Sequence, residues 1–187
     1  MTRLPLSFGR LCALPLALFA AFANAATPTH CRGDEDTYFS CKLANSQKVA
    51  SVCGGADARL KDGAWLQYRF GVPGRVEFAY PAAQEGSLQR FEVHVFSKYD
   101  YQSVLFINEK VLYEIEISEK LQGKALVYPA VINVEVQKKR TQLRCEKPVP
   151  EAMWNDMVNL SQQTHQTTGE GKDGFLWQYY NVIAKRP

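Results

Sequence analysis

Between Thr37 and Cys145, apolar residues recur mostly at every second position, the pattern of strands with one buried face. Facing residues of an antiparallel pair lie on the same side of the sheet, so each candidate hairpin carries its own register test. In WLQYRF-GVPG-RVEFAY, Leu66, Tyr68 and Phe70 share one face, and Val76, Phe78 and Tyr80 share another. Joining these faces sets Phe70 opposite Val76 and leaves Val72, Pro73 and Gly74 as the loop. Pro73 presets its φ there, and Gly74 is free to turn left-handed. Further on, Leu105 and Ile107 match Val111 and Tyr113 around a loop of Asn108, Glu109 and Lys110, with Glu114 and Glu116 on the outer side. Ile132, Val134 and Val136 match Leu143 and Cys145 when Val136 faces Leu143, which places a turn within 138–141. Phe91, Val93 and Val95 alternate with Glu92, His94 and Phe96 in one more strand.

The run FSCKLANSQKVASVC reads as a further hairpin. Phe39, Cys41 and Leu43 share a face, as do Val49, Ser51 and Cys53 on the returning strand, so both cysteines point the same way. After Lys147 the period changes. Pro150 suits a first helical position, and Met153, Met157 and Leu160 recur at helical spacing, which predicts an amphipathic helix over 150–162. A polar, glycine-containing linker follows, then the aromatic run FLWQYYNVIAKRP. These elements predict a mainly β protein, an antiparallel barrel or sandwich of about seven to nine strands with one C-terminal α-helix.

The first 25 residues lie outside this pattern. Arg3 and Arg10 precede an apolar stretch from Leu11 to Phe22, and Ala23-Asn24-Ala25 fits a small-x-small cleavage site, so 1–25 reads as a cleaved export signal. The apolar stretch is too short for a helix to span a bilayer of ~30 Å. Cys12 lies too early, in a poor context, for lipidation. The chain is thus divided into a signal (1–25), a disulfide-tied β domain (26–147) and a tail (148–187) of helix, linker and aromatic segment. No later stretch is apolar enough to cross a membrane. Removing the signal leaves 20 basic against 19 acidic residues, a net charge of +1, which argues against a nucleic-acid partner.

Four cysteines remain: Cys31, Cys41, Cys53 and Cys145. An even number in an exported chain implies two disulfides, with three possible pairings, and a periplasmic or secreted location. The hairpin reading favours Cys41–Cys53, which leaves Cys31–Cys145. A four-cysteine zinc site fails on spacing, since no two of the cysteines lie two to four residues apart.

Candidate chemistry is sparse. His30, His94 and His165 have no ligand-type neighbour at metal-binding spacing and read as solvated imidazoles. No G-x-S-x-G elbow occurs, and no cofactor motif is found. GEGKDG follows a helix and lacks Ser or Thr after its lysine, so it is a linker rather than a phosphate loop. Glu114 and Glu116 share a strand face and read as solvated. Asn159 heads a glycosylation sequon that falls inside the predicted helix. Two groups are candidate interaction residues: the basic knot Lys138, Lys139 and Arg140, near Arg144, and the aromatics Trp177, Tyr179 and Tyr180 beside Phe175.

The run of an early cysteine (Cys31), Phe39-Ser40-Cys41, Val49 to Cys53, Leu66 to Gly71 and Leu143 to Cys145 resembles a family of small exported bacterial proteins of unknown function. The resemblance covers residues 31–147 and implies export and a β fold but no catalytic residues. A more distant likeness, to periplasmic lysozyme inhibitors, is one of fold and address. The expected function is a non-enzymatic binding protein of the bacterial envelope, of the hydrolase-inhibitor or immunity type, whose partner is another envelope or secreted protein. The alternatives are a small-molecule or lipid carrier with an apolar barrel cavity, and an envelope hydrolase with a spatially assembled acid pair.

Overall fold

The computed structural model describes residues 27–56, 59, 63–96, 100–161 and 164–166. The signal, the linker apart from 164–166, and the aromatics Trp177, Tyr179 and Tyr180 lie outside the described residues.

The alternating segments form strands β1 (Asp36–Lys42), β2 (Val49–Ala56), β3 (Ala64–Val72), β4 (Arg75–Tyr80), β5 (Phe91–Phe96), β6 (Tyr101–Asn108) and β7 (Val111–Ser118). Then come β8 (Lys120–Gln122), β9 (Ala125–Val127), β10 (Ala130–Val136), β11 (Lys139–Arg144), helix α1 (Glu151–Ser161) and the short β12 (His165–Gln166). One sheet has the order β1-β2-β3-β4 and a second the order β11-β10-β7-β6-β5-β12, while β8 and β9 pair only with each other. All pairings are antiparallel except β12 with β5.

The inner faces of the two large sheets meet in one core. Tyr68 of β3 packs on Phe106 and Tyr113, with ring centroids 5.1 and 6.2 Å apart, and Tyr80 of β4 stacks on Phe106 at 4.8 Å. Offset and edge-on rings of this kind add to the burial of apolar area. At one corner the sheets join: Leu43 bridges Cys145, the Ala44 amide donates to the Arg144 carbonyl at 2.8 Å, and the Glu146 amide donates to Lys42 at 2.8 Å. Helix α1 packs against the core through Met153, Met157 and Leu160, all buried at the predicted spacing. Among the described residues, no helix is long and apolar enough to cross a membrane.

The predicted hairpins form, but their registers differ from the sequence reading. In β3–β4, Phe70 faces Phe78 rather than Val76. A bulge at Glu77 absorbs one residue, and the turn contracts to Pro73-Gly74, with Gly74 at φ 78°. Gly71 sits at this bulge, where a Cβ would lie 2.2 Å from the Arg75 carbonyl oxygen. In β6–β7 the turn is Glu109-Lys110, with Asn108 opposite Val111. That one-residue slip moves Leu105 and Ile107 to the outer face and sets Phe106 inward against Tyr113, their rings 4.6 Å apart. In β10–β11, Ile132 rather than Val136 faces Leu143. The turn is Gln137-Lys138, both left-handed, as a twisted two-residue hairpin requires.

The cysteine pairing is also corrected. The disulfides are Cys31–Cys53 and Cys41–Cys145. Cys41 lies opposite Ala50, and Ser40 opposite Ser51, so Cys41 faces the core while Cys53 faces outward. Two cysteines on opposite faces of a pleated hairpin cannot bond. Cys53 instead meets Cys31 of the entering chain, and Cys41 meets Cys145 at the corner between the sheets.

Candidate functional site: a projecting arm and the cleft at its base

Strands β8 and β9 stand apart from both sheets as a two-stranded arm. Leu121 pairs with Leu126 across it, and these two side chains are 71% and 52% exposed. Every residue from Lys120 to Leu126 is exposed. Gly123, at φ 65°, starts the two-residue turn and takes a conformation that β-carbons disfavour. At its root the arm is fixed by the Ser118 amide, which donates to Pro129 at 3.0 Å, and the Glu119 amide, which donates to Asp100 at 2.7 Å. Buried Tyr128 packs on Trp154 with centroids 5.6 Å apart. An apolar pair is thus held in the open on a firmly rooted projection, between Lys120 and Lys124 of the same arm.

Below the arm, the outer face of β7, β10 and β11 opens into a cleft of about 390 Å³. Glu116, Lys120, Gln142, Arg144, Glu146 and Lys147 give it a polar lining. A hydrogen-bonded ladder crosses the neighbouring sheet face. Arg144 Nε donates to Gln142 Oε1 at 3.1 Å, Gln142 Nε2 to Asn133 Oδ1 at 3.2 Å, and Asn133 Nδ2 to Glu114 Oε2 at 3.3 Å. Arg140 closes it with an ion pair to the same Glu114 oxygen at 2.5 Å. Glu114 is therefore not the solvated side chain the sequence predicts. Burial raises its carboxyl above the ordinary range and the nearby Glu116 adds to this, while the Arg140 guanidinium opposes the shift.

The ladder sits beside a second unexpected feature. His94 is buried rather than solvated, and its Nε2 donates to Glu92 Oε1 at 2.8 Å, with both side chains 2% exposed. Ser103 lies opposite His94 in the register, buried and, among the described residues, without a hydrogen-bond partner. A hydroxyl, an imidazole and a carboxylate thus share one row. However, Nε2 of His94 is bonded to Glu92 and Ser103 makes no bond to the ring, so these residues form no nucleophile–base pair among the described residues.

The remaining sequence candidates separate from one another. Lys138 is in the β10–β11 turn, Lys139 and Arg140 are exposed in β11, and Arg140 is bound to Glu114 instead of forming a free basic tip. On the opposite sheet, His30 Nε2 donates to the Gly71 carbonyl at 3.2 Å. Among the described residues, metal-ligand atoms come within 4.8 Å of one another at Cys31, Glu35 and Cys53, but there both sulfurs are joined in a disulfide. The arm itself was missed by the sequence reading. Its signal was Gln122-Gly123-Lys124 between Leu121 and the short apolar run Ala125-Leu126-Val127, too brief to register as alternation.

No family model matches the chain, and no curated protein or solved structure matches it either.

Proposed function

We propose that the chain is an exported, non-enzymatic binding protein of the bacterial envelope, of the hydrolase-inhibitor or immunity type, which meets its partner through the β8–β9 arm. The supporting observation is the exposed Leu121–Leu126 pair on a projection rooted in the core. Two disulfides in a β-rich chain agree with an oxidising compartment. The rings of Tyr68, Tyr80, Phe91, Phe106 and Tyr113 fill the space between the sheets, which favours a surface binder over a carrier with an apolar lumen. The acid-pair reading has the raised carboxyl of Glu114 in its favour, but that group is bound to Arg140 and Asn133.

The test is capture by immobilised mature protein from a panel of lysozymes and envelope-targeting toxins, repeated with Leu121→Asp/Leu126→Asp. The proposal expects a partner bound tighter than ~10 µM whose capture the double variant abolishes. No such partner, or one held equally well by the variant, would overturn it.

A further inference from the structure

The cleft at the base of the arm contains three cations, Lys120, Arg144 and Lys147, and among the described residues none of them has an ion-pair partner. Of the two carboxylates in the lining, Glu146 pairs with Lys42 at 2.7 Å, while Glu116 accepts the Ser118 hydroxyl at 3.3 Å, a neutral donor that leaves its charge in place. Three cations against that one charge leave the cleft with an excess of positive charge.

Arg144 is also held in place. Its Nε is fixed by Gln142, which is fixed in turn by Asn133, a buried residue tied to Glu114. Among the described residues, this ladder leaves the two terminal guanidinium nitrogens as an open fork. A fork with limited freedom loses little entropy on binding a planar pair of oxygens. Lys120 and Lys147 line the same cleft as exposed point charges, and the arm above brings apolar side chains next to the charge.

We propose that this cleft receives a side-chain carboxylate of the protein that the arm contacts, gripped by Arg144 and flanked by Lys120 and Lys147. The inference rests on the binding reading for the identity of the partner, and it adds the chemistry of the contact: an acidic residue set beside the surface that meets the leucine pair.

The experiment needs no partner, so its failure is distinct from failure of the capture test. The mature protein is titrated with a blocked tri-glutamate peptide, and separately with inorganic phosphate, while backbone amide shifts are followed by NMR. The peptide should saturably shift the amides of Lys120, Arg144 and Lys147 with a Kd of about 1 mM at low salt, weakening in concentrated salt. Arg144→Gln should weaken this about tenfold, and Arg144→Lys, which keeps charge but loses the fork, by less. Shifts absent from the cleft, or unchanged in Arg144→Gln, would overturn the proposal. Phosphate binding tighter than the peptide would also overturn it, because the cleft would then be built for a different oxyanion.

Discussion

Arg69 holds Glu35 through both terminal guanidinium nitrogens, at 2.6 and 3.0 Å, on the outward face of the four-stranded sheet. The same guanidinium donates to the His30 carbonyl at 2.9 Å and to Gln67 at 2.7 Å, so the entering chain is fastened across β3. Burial alone would raise the Glu35 carboxyl. The hydrogen bonds from Arg69 and from the Arg32 backbone and side chain outweigh it and bring the group down to about 2.

That value sets a pH dependence. The folded carboxyl titrates below its ordinary 4.5, so the pair adds stability that is complete above this pH and lost as pH falls toward 2. Urea unfolding midpoints measured from pH 6 downward should decline over this window. Glu35→Gln should flatten that part of the curve and cost about 3 kcal/mol at pH 7, because it leaves a buried Arg69 unpaired.

Disulfide mapping of the oxidised protein should recover the peptides Cys31–Cys53 and Cys41–Cys145, and no peptide joining Cys41 to Cys53. The loops they close span 22 and 104 residues, so chain entropy assigns about 3.4 and about 4.7 kcal/mol to them. Replacing Cys41 and Cys145 together by alanine should therefore lower the denaturation midpoint more than replacing Cys31 and Cys53.

The arm buries neither of its leucines and so adds little to stability. Leu121→Asn with Leu126→Asn should leave the unfolding free energy within about 0.5 kcal/mol of the parent. Limited trypsin digestion should cut at Lys120 or Lys124 before any site within the strands of the two large sheets, since an exposed projection yields to a protease ahead of them.

Gly71 is required by the bulge. Gly71→Ala drives a methyl group into the Arg75 carbonyl, which can move only if the β3–β4 hairpin opens. A loss of more than about 2 kcal/mol in urea unfolding is expected, against a few tenths at an exposed glycine such as Gly33.

How much of this was legible beforehand depended on how clearly each strand alternates. WLQYRF and RVEFAY alternate well, and their hairpin was located correctly; only the bulge at Glu77, which leaves no compositional trace, displaced the register. SVLFI in β6 is apolar at four successive positions, so the pattern could not say which residues face inward, and the pairing slipped by one. The same ambiguity put Cys41 and Cys53 on one face. Helix α1 was read almost to the residue, because Met153, Met157 and Leu160 mark a single stripe. The candidate site was hidden for another reason: it is assembled from Lys120, Gln142, Arg144 and Lys147, residues brought together only by the return of β10 and β11.

The two disulfides interleave, and this governs how the molecule answers tension. A force applied at Cys31 and Cys145 cannot unravel the ribbon between them: it runs along the chain to Cys41, in parallel with the route through the bridge to Cys53 and back, and leaves by the other bridge to Cys145. The shorter route, from Cys31 to Cys41, sets the limit, roughly 35 Å at full extension. Translocases and processive proteases that work by pulling would find the rest of the body beyond reach until a reductant opened it.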